Sequence, residues 1–161
     1  MIVELSPLQM IQCHEEAVVR AEHYRIESHR KNMKDGLSFE TVLSYNVDGC
    51  MGELACASGL NYDWTGVDGS ASYDVGGWIE VRTTRYRAGK LIVKDSEIDK
   101  RKPATPYVLA IISGSAVKLA GWMHLEDIIE EGYHYFQKGQ RFMAVEQSQL
   151  HDMMILAQGD E

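Results

Sequence analysis

The chain is short of cysteine, of positive charge and of long apolar stretches, and each shortage excludes a class of protein. Cys13, Cys50 and Cys56 are an odd three without Cys-x-x-Cys spacing, which suggests neither a disulfide framework nor a zinc knuckle. They are expected to be reduced residues of the core or of helices. The longest apolar run, Val108 to Ile112, is far below the ~20 residues of a spanning helix. Met1-Ile2-Val3-Glu4 lacks the basic region that opens a signal peptide, so a cytoplasmic location is expected. A formal charge of −8 argues against a protein that coats DNA non-specifically, because such binding rests on summed phosphate neutralisation. None of the six histidines forms His-Glu-x-x-His, so no helix presents two imidazoles to zinc in that way.

What is present is an ordinary globular composition, 45% hydrophobic and 25% charged over 161 residues, long enough for one domain with a sizeable core. Its charge is unevenly spread. Between Arg82 and Lys102, eight basic residues (Arg82, Arg85, Arg87, Lys90, Lys94, Lys100, Arg101, Lys102) face three acids, so this segment is +5 and the remainder −13. Such a strip is either a solvated strand and loop or a contact for nucleic acid, with Arg85, Arg87 and Lys90 as the candidate contacts.

Ser6-Pro7 has the form of a helix start, and no further Gly or Pro follows until Gly36. A long first helix is expected, with Met10, Cys13, Ala17, Ala21 and Tyr24 as a narrow packing stripe and Glu15, Glu16, Arg20 and Glu22 on a solvated face. After a break at Gly36, Phe39 to Tyr45 fits either a short strand or an extended connection. A second helix is expected from about Cys50 to Ser58, with Asp48 as candidate cap and Gly59 as its stop. Its one acid, Glu53, either sits at the surface edge or faces something that requires a carboxylate.

From Tyr73 onward the texture is β. Tyr73 to Val75, Trp78 to Thr84, Lys90 to Lys94, Tyr107 to Ile112 and Val117 to Met123 are expected strands, with a hairpin at Gly114. A helix from about Leu125 to Glu131, a strand near Phe142 to Val145 and a last helix from about Ser148 to Ala157 follow. The order gives an α/β (α+β) class with a largely contiguous central sheet flanked by helices.

The segment Asp74-Val75-Gly76-Gly77-Trp78-Ile79-Glu80-Val81-Arg82 carries the most chemistry. Residues two apart on a strand share a face, which sets Trp78, Glu80 and Arg82 on one side and Ile79, Val81 and Thr83 on the other. A two-residue Gly76-Gly77 loop opposes Asp74 to Ile79, on the wrong face; a three-residue loop or a bulge brings Asp74 to Glu80. In the second case two carboxylates offer oxygen ligands to Mg²⁺ or Mn²⁺ and leave positions for water and a phosphate oxygen, as phosphodiester hydrolysis requires. Arg82 is suited to stabilise transition-state charge but not to act as a base, its pKa being above ~12. The plainer alternatives are a surface ion pair for Glu80 and Arg82, a turn residue for Asp74, a surface acid for Glu53, and packing roles for Trp78 and Trp122.

This constellation resembles the PD-(D/E)XK nuclease superfamily, in which an acidic helix residue precedes an Asp…Glu-x-Lys motif on a β-hairpin. Gly52-Glu53-Leu54-Ala55 matches the helix acid, Asp74 the aspartate, and Glu80-Val81-Arg82 the Glu-x-Lys strand. Glu80-Val81-Arg82-Thr83-Thr84, Leu91-Ile92-Val93, Tyr107-Val108-Leu109, Gly121-Trp122-Met123 and Phe142-Met143-Ala144-Val145 resemble small phage and bacterial members more closely. The resemblance implies a restriction-endonuclease-like mixed sheet flanked by helices and hydrolysis of DNA with Mg²⁺ or Mn²⁺ on Asp74, Glu80 and Glu53. It also implies a cytoplasmic setting in a bacterium or phage-infected cell, and a candidate homodimer. Arg82 stands at the lysine position; Lys94, on the next strand, is the alternative source of an ammonium. Two functions follow: a metal-dependent DNA nuclease, favoured by the presence of all three acids, or a non-catalytic module of the same fold that binds DNA or a protein through the basic strip.

Overall fold

The computed structural model describes residues 1–30, 37–66, 72–137 and 139–158; the expected break at Gly36 lies outside them. A short strand β1 (Ile2–Glu4) leads into α1 (Pro7–Arg30). Ser6 starts the helix as expected: its Oγ accepts from Gln9 N at 3.3 Å while Gln9 Oε1 accepts from Ser6 N at 2.8 Å. This capping box satisfies two otherwise orphaned N–H groups. Cys13, Ala17 and Ala21 are fully buried, whereas Tyr24, expected to continue the stripe, is exposed.

The second helix is much longer than the sequence suggests. α2 runs over Phe39–Leu60, from Ser38, whose side chain accepts from Thr41 N, to Asn61 in the left-handed region at φ 59°. The Phe39 to Tyr45 stretch is therefore neither strand nor connection, Asp48 is not a cap, and Gly59 is not the stop. Thr41, Val42 and Tyr45 carry β propensity, but a capped helix packed along α1 overrides it.

Strands β2 (Glu80–Thr84), β4 (Pro106–Ser113) and β5 (Ala116–His124) join β1 in a four-stranded sheet of order β1-β5-β4-β2, in which only the β2–β4 pair is parallel. A second, antiparallel sheet has order β3-β7-β6, from β3 (Leu91–Lys94), β6 (Tyr133–Gln137) and β7 (Gln140–Val145). The strands thus form two sheets rather than one contiguous one, and β3 does not neighbour β2. The hairpin at Gly114 is present, with φ 63°. Short helices α3 (Asp95–Ile98) and α4 (Leu125–Glu131) follow β3 and β5, and the expected last helix is a 3-10 turn (Gln147–Gln149) followed by α5 (Met153–Gln158).

Strand β4 is the shared wall of two cores. Val108, Ala110 and Ile112 pack with α1 and α2, while Tyr107, Leu109 and Ile111 pack with Leu91, Val93, Met143 and Val145 of the second sheet. Alternate residues of a strand serve opposite faces, so a helical layer, a sheet and a second sheet stack in that order. The class is α+β. No helix among the described residues is long and apolar enough to cross a membrane.

Candidate functional site

The loop before β2 decides what Asp74 faces. Val75 bridges Ile79, with Ile79 N donating to Val75 O at 3.1 Å and Trp78 N to Val75 O at 3.2 Å. Gly76, Gly77 and Trp78 therefore form a three-residue loop, its glycines at φ 61° and 78°, values that side chains with a Cβ rarely adopt. One step further, Asp74 stands beside the start of β2, where its Oδ2 accepts from Val81 N at 2.7 Å. Trp78 belongs to the loop and packs against the helical core, not on the face of Glu80 and Arg82.

Arg82 joins the acids. Its Nη1 lies 2.9 Å from Val81 O, 3.3 Å from Glu80 Oε2 and 3.7 Å from Asp74 Oδ2, while Nη2 donates to Glu97 Oε2 at 2.7 Å. Glu80, only 4% exposed, is held on its other oxygen by Arg101 Nε at 2.5 Å. Arg101 also donates to Ser72 O at 2.8 Å and lies over the Tyr73 ring. Burial pushes the Asp74 carboxyl up, reinforced by the negative charges of Glu80 and then Glu53, to about 7, against the lowering effect of Val81 N–H and Arg82. Burial would by itself lower the Arg82 guanidinium, but Glu97, Glu80 and Asp74 together hold it above its usual value.

Glu53 is placed differently. Gly52 brings α2 against β2 so closely that a Cβ there would meet Thr83 Oγ1 at 2.2 Å, and the next residue turns toward α1. Arg20 grips Glu53 with both terminal nitrogens, Nη1 to Oε1 at 2.7 Å and Nη2 to Oε2 at 2.8 Å, and Trp64 Nε1 donates to Oε2 at 3.2 Å. Arg20 also contacts Glu16 and the Gly66 carbonyl. The solvated face expected for Arg20 is thus corrected: it is 8% exposed and carries a buried ion pair. Burial likewise pushes the Cys13 thiol up to about 11 and those of Cys50 and Cys56 up to about 12, so all three free, buried cysteines are protonated at neutral pH.

The candidate residues therefore divide. Asp74, Glu80 and Arg82 meet, Glu53 stands behind them on the helical side, and Lys94 lies apart with an exposed side chain at the end of β3, opposite Phe142. Arg85 pairs with Asp48 and Lys90 with Glu146, whereas Arg87 is exposed without an ion pair among the described residues. Among the described residues no three His, Cys, Asp or Glu side chains are arranged to hold a metal ion; each of the three acids is turned onto an arginine. Sequence reasoning missed Arg20, Glu97, Arg101 and Tyr107. Tyr107 pairs with Glu80 in the β2–β4 register, and its ring lies under Arg82, 5.0 Å from the guanidinium carbon. Comparison with known protein families, with curated proteins and with solved structures returned no match.

Proposed function

We propose that the chain is a metal-dependent nuclease that hydrolyses phosphodiester bonds of DNA, with a restriction-endonuclease-like arrangement of its mixed sheet and α2. One observation carries the reading: a positively charged nitrogen, Arg82 Nη1, lies among three oxygens from Asp74, Glu80 and the Val81 carbonyl. All three are hard donors of the kind Mg²⁺ and Mn²⁺ choose. The Asp74 carboxyl is raised first by burial and then by the charges of Glu80 and Glu53, and a divalent cation in contact with it would hold it ionised. The donor set fits a divalent cation once Arg82 withdraws toward Glu97, which already holds its Nη2. Asp74, Glu80 and Val81 O would be the ligands, and Glu53 would act from behind through its charge. A cation there supplies polarisation of the phosphoryl group and activation of the attacking water. Arg82 then neutralises developing charge beside it.

A second reading has its own support: Glu53, Glu80 and Asp74 all face guanidinium groups, as they would in a binding module of the same fold that has no need of a metal. Cleavage of supercoiled and single-stranded DNA with Mg²⁺ or Mn²⁺ separates the two. The nuclease reading predicts cutting that Asp74→Asn and Glu80→Gln reduce at least about a hundredfold, in the range of lost electrostatic stabilisation. Cutting that persists in both variants rejects this site. Absence of cutting on every substrate, with salt-sensitive binding lost on mutating Arg85, Arg87 and Lys90, supports the binding module.

A further inference from the structure

Behind Glu80 lies a pocket of about 190 Å³ lined by Glu80, Arg82, Glu97, Lys100, Arg101 and Tyr107. At ~30 Å³ per water it holds about six waters, enough for a phosphoryl group with part of its hydration. Its lining carries three cationic side chains against two carboxylates; Arg82 and Arg101 are engaged by Glu80, Glu97 and Asp74, so the cation that Lys100 brings is the one open to an anion. Tyr107 is fully buried, and its hydroxyl has no hydrogen-bond partner among the described residues. Orphaned buried hydroxyls are rare, and this one belongs to a side chain that lines the pocket. Lys100 completes the mouth: its N–H donates to Glu97 O at 3.0 Å, which fixes its backbone, while its side chain is exposed and makes no ion pair among the described residues.

We propose that this pocket is a phosphoryl-binding subsite, next to the Asp74 and Val81 oxygens and sharing Glu80 with them, in which Lys100 Nζ donates to a phosphate of the bound strand and Tyr107 Oη, closed to solvent in the free chain, donates to it once the strand is bound. The subsite rests on the nuclease reading, because it places a phosphate one carboxylate away from the proposed cation. Arg82 and Arg101 supply charge at its walls while they hold Glu80 and Glu97. A terminal phosphomonoester and an internal phosphodiester share this chemistry, and the experiment distinguishes them.

Fluorescein-labelled single-stranded oligonucleotides, one 5′-phosphorylated and one with a 5′-hydroxyl, are titrated with the full chain in EDTA at low salt and read by anisotropy. Lys100→Ala and Tyr107→Phe are each expected to weaken binding about tenfold. A loss confined to the phosphorylated strand identifies a terminal monoester; an equal loss on both strands identifies a diester. Tyr107→Phe keeps the ring and removes only the orphaned hydroxyl, and Lys100→Ala changes an exposed side chain, so both variants fold. If both bind both strands as the unmodified chain does, the subsite is overturned and the pocket holds only water. Because EDTA separates binding from cleavage, that result beside metal-dependent cutting abolished by Asp74→Asn removes the subsite alone. The expected losses in a chain that cuts no substrate support the subsite and remove the nuclease reading.

Discussion

At Asp74, burial and two neighbouring acids oppose ionisation, so the folded chain holds this proton more tightly than the unfolded chain does. The folded carboxyl titrates at about 7 against an ordinary 3.8. Its contribution to stability is therefore fully present below about pH 4 and is lost as pH rises through about 7. Asp74→Asn abolishes that loss. Without metal, the variant is expected to melt above the parent at pH 8 and to gain little at pH 4, the difference being at least ~1 kcal/mol, or roughly 2–4 °C for a chain of this size. Thermal melts at the two pH values check it; a gain that is the same at both contradicts the placement of Asp74. Glu53 and Arg20 make a different case, because both charges are buried and each satisfies the other. Removing Arg20 leaves the buried Glu53 carboxylate only the Trp64 N–H, so Arg20→Ala is expected to cost about 3–5 kcal/mol. Glu53→Ala leaves Arg20 its contacts to Glu16 and Gly66 O and is expected to cost less, while Arg20→Met with Glu53→Leu recovers most of the loss. Urea denaturation measures both; costs below about 0.5 kcal/mol are those of ordinary surface charges. Glu53 was visible in the sequence as an acid in an apolar helix, yet its partner was not. Arg20 sits beside the small residues Ala17 and Ala21, a long cation on an otherwise small face, and only the packing of α1 on α2 shows that it points inward.

At the scale of elements, strand parity was legible and turn length was not. The alternation of Glu80 and Arg82 follows from the two-residue period, but two successive glycines serve a two- or a three-residue loop equally well. The structure has the longer loop, with Val75 opposite Ile79. Deleting Gly77 forces the shorter one and slips the register by one residue, which turns Asp74 to the other face. The deletion variant is expected to melt lower overall and to lose the Asp74-dependent fall in stability between pH 4 and pH 8; retention of that fall would show that loop length does not place the carboxylate. The ammonium proposed for Lys94 depended on β3 lying beside β2. β3 instead joins β7 and β6, a pairing between segments far apart in the chain that local pattern does not encode. β1 and β6 escaped notice for a related reason: both are short, largely exposed edge strands, without the buried alternation that marks β4 and β5. The length of α2 was hidden by β-prone residues in its first turns, although Ser38 was in place to cap it.

Over the whole molecule, the +5 segment is less free than its sequence suggests. Arg82 pairs with Glu97, Arg85 with Asp48, Lys90 with Glu146 and Arg101 with Glu80, so half of its eight cations are bound to acids of the same chain. The segment thus builds a polar seam at the edge of the mixed sheet, where Arg82 and Arg101 pin Glu80. A nucleic acid drawn to this seam meets Lys100, Arg87 and Lys102 with fewer free charges than the sequence count, and a shallow salt dependence is expected, since each neutralised phosphate adds about one to the slope. The oxygens of Asp74, Glu80 and Val81, now shared by Arg82, are the part of the seam proposed to take a divalent cation. Calorimetric titration of the full chain with Mn²⁺ at pH 8 tests this most directly. One Mn²⁺ per chain is expected, with affinity reduced at least about tenfold, or ~1.4 kcal/mol, in Asp74→Asn and in Glu80→Gln. No binding at millimolar Mn²⁺, or equal affinity in the parent and both variants, would contradict it.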